Sequence, residues 1–167
     1  VINGAECEPY LTCDFRLLLE RTEDIYKGIK IIAEILGVKN IVMGIEVNKP
    51  EAIEAFLKFD DITVVPLRKQ YPMGSEKHLI YCTTGRKVPC GKMPFDVGAC
   101  VQNIKTALAC YEAVELNKPL TETVLTVSGR GVKQPSNLKV PIGTSFADLI
   151  EECGGKSDDT AKIIAGG

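Results

Sequence analysis

The sequence predicts an α/β protein in two parts, a parallel sheet with flanking helices followed by a small β-rich appendage. Three observations carry that prediction. Apolar runs of strand length, Ile41–Val47 and Ile62–Leu67, alternate with stretches whose apolar residues recur every three or four positions, the pattern of strands joined by crossover helices. Each run ends in a polar loop rich in turn formers. Past Asn117-Lys-Pro119 the rhythm changes to two extended segments, a helix and a further apolar pair.

The first strand is Val1-Ile2, running into Asn3-Gly4 and an acidic loop that ends at Asp14, a residue suited to starting a helix. Leu17, Leu18, Ile25, Ile29, Ile32, Ala33 and Leu36 give that helix an apolar stripe; the pattern breaks near Arg21-Thr22, and Gly37 closes it. The Ile41–Val47 strand follows, then a helix with Pro50 at its first position and Ile53, Phe56 and Leu57 on its buried face. After Ile62–Leu67, Gly74-Ser75 precedes another helical run. Gly85 to Pro94 holds too many turn formers for a helix or central strand and reads as a long ordered loop. Val97–Val101 reads as a strand interrupted by Gly98, and Asn103 as the N-cap of a helix carrying Ala107, Leu108, Tyr111 and Val114. Beyond the boundary, Thr121–Ser128 and Gln134–Pro141 read as strands, Ser145–Cys153 as a helix capped by Ser145 and stopped by Gly154, and Ile163-Ile164 as the start of one more strand. The divisions are therefore 1–118 and 119–167, the second with the ββαβ order of a β-grasp domain.

Composition excludes several classes. A net charge of −2 with lysine and glutamate interspersed leaves no basic face for nucleic acid. No apolar run approaches the roughly 18 residues of a membrane-spanning helix. The seven cysteines are widely spaced without a C-x-x-C pair, so neither a zinc site nor a ferredoxin-type cluster is encoded, and buried free thiols in a reducing cytosol are expected. Cys7, flanked by Glu6 and Glu8, is a poor candidate nucleophile. His78, the single histidine, has no triad or ligand partners in the pattern and reads as a structural or surface residue.

In a parallel sheet the strand ends at Asn3, Asn48 and Lys69-Gln70 share one edge, where ligands of open α/β sheets bind; Glu6, Glu8, Asn48 and Tyr71 are thereby candidates to line one cleft. The helix starts at Gly74-Ser75 and Asn103 offer free backbone amides to an anion, with the Thr106 hydroxyl and Lys105 nearby.

Five motifs in order carry a family resemblance. Asn3-Gly-Ala-Glu-Cys-Glu-Pro-Tyr-Leu-Thr-Cys-Asp14, Gly44-Ile-Glu-Val-Asn-Lys-Pro50, Tyr71-Pro-Met-Gly-Ser-Glu-Lys77, the loop Gly85-Arg-Lys-Val-Pro-Cys-Gly-Lys-Met-Pro94 and Gln102-Asn-Ile-Lys-Thr106 resemble the RnfC component of the Rnf electron-transport complex. More distantly, the stretches at Asn3, Gly74 and Asn103 resemble the NADH-binding flavoprotein subunit of respiratory complex I. The resemblance implies a Rossmann-like sheet followed by a β-grasp domain of the soluble-ligand-binding type. It implies an oxidoreductase passing electrons between NAD(H), FMN and iron–sulfur clusters in an ion-translocating ferredoxin:NAD complex. The implied cofactor-binding residues are Asn3, Glu6, Glu8, Gly74, Glu76, Gln102, Asn103 and Thr106, with no catalytic side chain and no metal ligand. Ala5 stands where complex I has an acid, and Ser75 where it has a glutamate. Implied partners are the other subunits of the membrane complex and ferredoxin or a similar carrier, with the chain on the cytoplasmic face and not inserted in the membrane. The glycine-rich loop and the 4Fe–4S domain of that family are expected outside this stretch, so the stretch alone is expected to hold FMN weakly or not at all and to be inactive. Rival readings are a reductase subunit serving cobalamin or an amino-acid reductase, and a non-catalytic docking scaffold.

Overall fold

A computed structural model describes residues 1–166. They form two units, Val1–Cys7 with Asp14–Pro119, and Glu8–Cys13 with the segment from Leu120 onward.

In the first unit, β1 (Ile2–Asn3), β2 (Val42–Glu46), β3 (Thr63–Leu67) and β4 (Gln102–Asn103) make a parallel sheet in the order β3-β2-β1-β4. Ile2 pairs with Met43 on one side and Gln102 on the other, so the chain segments farthest apart in sequence meet at β1. The helices are α1 (Cys13–Glu20), α2 (Thr22–Leu36), α3 (Pro50–Leu57), α4 (Glu76–Thr84) and α5 (Ile104–Glu115). The break expected near Arg21 separates α1 from α2, and Gly37, at φ +63°, closes α2 as a left-handed cap. The core is apolar, and Leu18, Ile25, Met43, Ile45, Phe56, Leu79, Ile80 and Ile104 lie fully inside it. Packing of α2 on α5 depends on Gly28: a Cβ there would lie 1.8 Å from the carbonyl oxygen of Ala107.

In this first unit the strand expected over Val97–Val101 does not form. Residues Pro94–Val97 form a short 3-10 turn ended by Gly98 at φ +67°; the Gly98 amide donates to the Phe95 carbonyl and the Ala99 amide to the Pro94 carbonyl, so both are spent on the turn and not on a ladder. Pairing with β1 begins only at Gln102.

The second unit holds an antiparallel hairpin, β5 (Glu122–Val127) with β6 (Ser136–Pro141), and α6 (Phe146–Glu152). Ser145 caps α6 by accepting from the Asp148 amide at 3.2 Å. Residues 8–13 join this unit: Thr126 Oγ1 accepts from the Thr12 amide at 3.2 Å, and the Thr12 hydroxyl bonds Asn137. The strand expected at Ile163-Ile164 does not form; both side chains are more than half exposed, and neither residue joins a ladder among the described residues.

The cysteines also depart from expectation. Cys13 and Cys153 are buried, whereas Cys82, Cys90 and Cys100 are exposed thiols. Cys82 lies on α4 away from that helix's two buried residues, Leu79 and Ile80, and Cys90 and Cys100 lie in loops. Of the two readings of His78, structural or surface, the exposed side chain fits the second. Among the described residues, no helix is long and apolar enough to cross a membrane.

Candidate functional site

At the carboxyl edge of the sheet, the loops after β1 and β2 are locked together by a buried ion cluster. Glu6 follows β1, Glu46 ends β2, and Lys49 sits one residue before α3. Lys49 Nζ lies 3.0 Å from Glu6 Oε2 and 3.2 Å from Glu46 Oε2, with the side chains 9%, 2% and 2% exposed. Such burial is tolerable only because every charge is met. Glu6 Oε1 accepts from the Asp14 amide at 2.9 Å and Oε2 from the Phe15 amide at 3.4 Å, which places the carboxylate at the positive end of α1. The Glu6 amide in turn donates to Glu46 Oε2 at 3.4 Å. Removing one partner from a buried pair of this kind costs about 3–5 kcal/mol, because the other charge is left uncompensated.

A second chain of bonds leads from α1 to α5. Asn103 caps α5, its Oδ1 accepting from the Lys105 amide at 2.8 Å, and its Nδ2 donates to Asp14 Oδ2 at 3.0 Å. Lys105 Nζ lies 2.9 Å from Asp14 Oδ1. Asn3 makes the remaining connection: its Nδ2 donates to the Gly74 carbonyl at 2.9 Å and its Oδ1 accepts from the Ala5 amide at 3.1 Å. Gly74 itself lies against this loop, since a Cβ there would meet Cys7 Sγ at 3.3 Å and the Ala5 carbonyl at 3.4 Å.

Six of the sequence-predicted residues thus fall on three adjoining loops. Asn3 and Glu6 belong to the first, Gly74 and Glu76 to the second, Asn103 and Thr106 to the third. Within that set there are two tiers. Asn3, Glu6 and Asn103 direct their polar atoms at other protein groups, whereas Glu76 and Thr106, in the first turns of α4 and α5, are exposed. The other two predicted residues lie elsewhere. Gln102 donates to Cys100 Sγ at 3.6 Å and lines a cavity of about 260 Å³ by the strand starts at Val1, Ile41 and Val42, the opposite edge of the sheet. Glu8 is half-buried and belongs to the second unit. Of the further cleft candidates, Asn48 and Tyr71 are exposed.

Sequence reasoning missed Lys49 and Glu46. Both stood inside a recognised motif, but nothing local said that Lys49 turns inward while Asn48 beside it turns out. The available signal was Glu46 itself, a carboxylate closing an apolar strand three residues before a lysine.

Known proteins share both the sequence and the fold. Residues 1–112 match the family of the Nuo51 FMN-binding domain, and residues 124–167 match the SLBB domain. The chain is 49% identical to the C component of the proton-translocating ferredoxin:NAD(+) oxidoreductase complex of Clostridium ljungdahlii, over 100% of this chain and 37% of that protein. It is 48% identical to the C component of the ion-translocating oxidoreductase complex of Rhodobacter capsulatus, covering 33% of it. It is 40% identical to the C component of the Na(+)-translocating ferredoxin:NAD(+) oxidoreductase complex of Acetobacterium woodii, covering 39%. The chain therefore spans little more than a third of the length of these relatives. Among solved structures, a chain of NAD+-reducing [NiFe]-hydrogenase superposes with a TM-score of 0.73 at 20% identity, over 93% of this chain and 32% of that one, a likeness of fold.

Proposed function

Because the chain belongs to the Nuo51 FMN-binding domain family over residues 1–112, we propose that it forms part of the flavin site of an electron-transfer subunit of the ferredoxin:NAD oxidoreductase type. The observation that carries this reading is the joining of three distant loops, 3–7, 74–76 and 103–106, at the carboxyl edge of one parallel sheet, where α/β folds bind nucleotides.

When bound, FMN would supply the redox chemistry that links two-electron hydride exchange with a nicotinamide to single-electron transfer. The protein's own part is to hold and orient. Asn3, Glu6 and Asn103 fix the loops from behind, and the close approach of Gly74 to Ala5 and Cys7 keeps the second loop against the first. The exposed carboxylate of Glu76 is suited to accept from a ring N–H or a ribityl hydroxyl. The α5 start offers the exposed Thr106 hydroxyl to phosphate oxygens, beside a Lys105 whose amide caps on Asn103 and whose ammonium pairs with Asp14. These donors and acceptors fit FMN chemically. The 4Fe–4S clusters that accept the electrons belong in this reading to the rest of the subunit, which works with the other subunits of a membrane complex on its cytoplasmic face and with ferredoxin or a similar carrier. The relatives named above, each the C component of an ion-translocating complex, support that assignment.

The test is made on the complete subunit. It is expected to purify with one FMN per chain, bleached anaerobically by NADH. Thr106→Val and Glu76→Gln are expected to lower flavin occupancy while leaving the protein folded. A colourless, folded subunit that takes up no FMN on titration would reject the reading.

A further inference from the structure

We propose that Lys49 is a positioning residue for the candidate flavin site, acting through Glu6 and Glu46 on the 3–7 loop. The inference rests on the flavin reading above and deepens it. Lysine is almost never fully buried unless paired. Here its ammonium stands between two carboxylates, at 3.0 and 3.2 Å, that come from the ends of adjacent strands. The sheet itself fastens the loop only as far as the Gly4 amide, which donates to Gly44 at 3.0 Å. Beyond that point, the side-chain bonds that tie Glu6 run to Lys49 and to the first amides of α1.

The charges explain why the lysine is needed. Two carboxylates face one ammonium, and the α1 amides meet the remaining negative charge. Without the ammonium, two buried carboxylates confront each other with their charge uncompensated, and the loop is driven open. Opening displaces Ala5 and Cys7, the groups that pack on Gly74, and thereby separates two of the three loops. Lys49 touches no cofactor in this scheme; it sets where the loop stands.

The experiment compares wild type, Lys49→Met and Lys49→Arg in the complete subunit. FMN affinity is titrated on protein whose circular dichroism is native, and the flavin midpoint potential is measured alongside. Lys49→Met is expected to fold and to bind FMN about tenfold or more weakly, the scale seen when groups behind metal ligands are removed. Its remaining flavin should have a shifted potential, and Lys49→Arg should recover most of the affinity because the charge is kept. Folded Lys49→Met with wild-type affinity and potential overturns the proposal, as does Lys49→Arg as weak as Lys49→Met. Should Lys49→Met not fold, the double variant Lys49→Met/Glu46→Gln, which removes one carboxylate with the ammonium, is expected to fold and still bind weakly. Wild-type affinity in that double variant overturns the proposal equally. Failure of the wild type to bind FMN is a different result and removes the flavin reading itself.

Discussion

Substituting Gly28 by alanine tests the packing that carries α5, and with it Asn103 and Thr106, to its place. A Cβ at this position would lie 1.8 Å from the Ala107 carbonyl oxygen, 2.5 Å from its carbonyl carbon and 3.3 Å from its Cα. All three are backbone atoms, so no rotamer change relieves the clash. Since the closest ordinary C–H···O approach is about 3.3 Å, α5 must retreat from α2 by roughly 1.5 Å. Two effects of opposite sign compete. Alanine in place of a helical glycine gains about 1 kcal/mol in propensity, whereas forcing extra volume into a packed interface costs about 1–3 kcal/mol and occasionally more. The clash is with backbone and ordinary side-chain repacking cannot absorb it, so the upper end applies and the net loss is about 2 kcal/mol. At about 2–4 °C per kcal/mol for a chain of this size, Gly28→Ala should melt about 4–8 °C below wild type. Thermal unfolding followed by circular dichroism reads this directly. A variant as stable as wild type, or more stable by the propensity gain, would show that the α2–α5 approach is looser than described and would refute the reasoning.

Three further outcomes are expected. Asn103→Ala loses both the α5 cap and the bond to Asp14, and should cost about 1–2 kcal/mol in urea denaturation; a loss within error of zero would mean that neither bond matters. Glu112 bonds Arg21 at 3.1 Å and Lys118 at 3.0 Å. Burial tends to raise its carboxyl, but hydrogen bonds from Lys118 and Arg21 outweigh this and hold it below the ordinary 4.5. A depressed carboxyl contributes stability that is fully present above its unfolded value and fades as pH falls through the lower folded value. Glu112→Gln should therefore narrow the gap in urea midpoint between neutral and acid pH, and a gap equal to that of wild type would rule this pair out. Finally, Gly74→Ala should weaken FMN binding by the complete subunit more than it lowers stability, because the new methyl meets Cys7 Sγ at 3.3 Å, a tight contact where the two loops touch; unchanged affinity would separate Gly74 from the site.

Much of the fold was legible because its signals are local. The three-to-four residue spacing from Leu17 to Leu36, the apolar run at Ile41, Pro50 at a helix start, and Asn103 and Ser145 as caps each depend on neighbours along the chain. Where the reading failed, at the strand read over Val97–Val101 and the one read at Ile163-Ile164, short apolar stretches met the propensity for a strand without a partner edge to pair with.

The candidate site divides in the same way. Motifs named Asn3, Glu6, Gly74, Glu76, Asn103 and Thr106, and these do lie on loops that the parallel register brings to one edge. Which groups each one bonds is visible only in three dimensions. Glu6 and Asn103 both spend polar atoms on Asp14 at the start of α1, Gln102 belongs to the opposite edge, and the buried cation is Lys49 beside an exposed Asn48. The order of the chain by itself determines which residue types a loop carries. Which of them turn inward is decided by charges that arrive from forty or more residues away, as Lys49 does for Glu6, and no local pattern contains that distance.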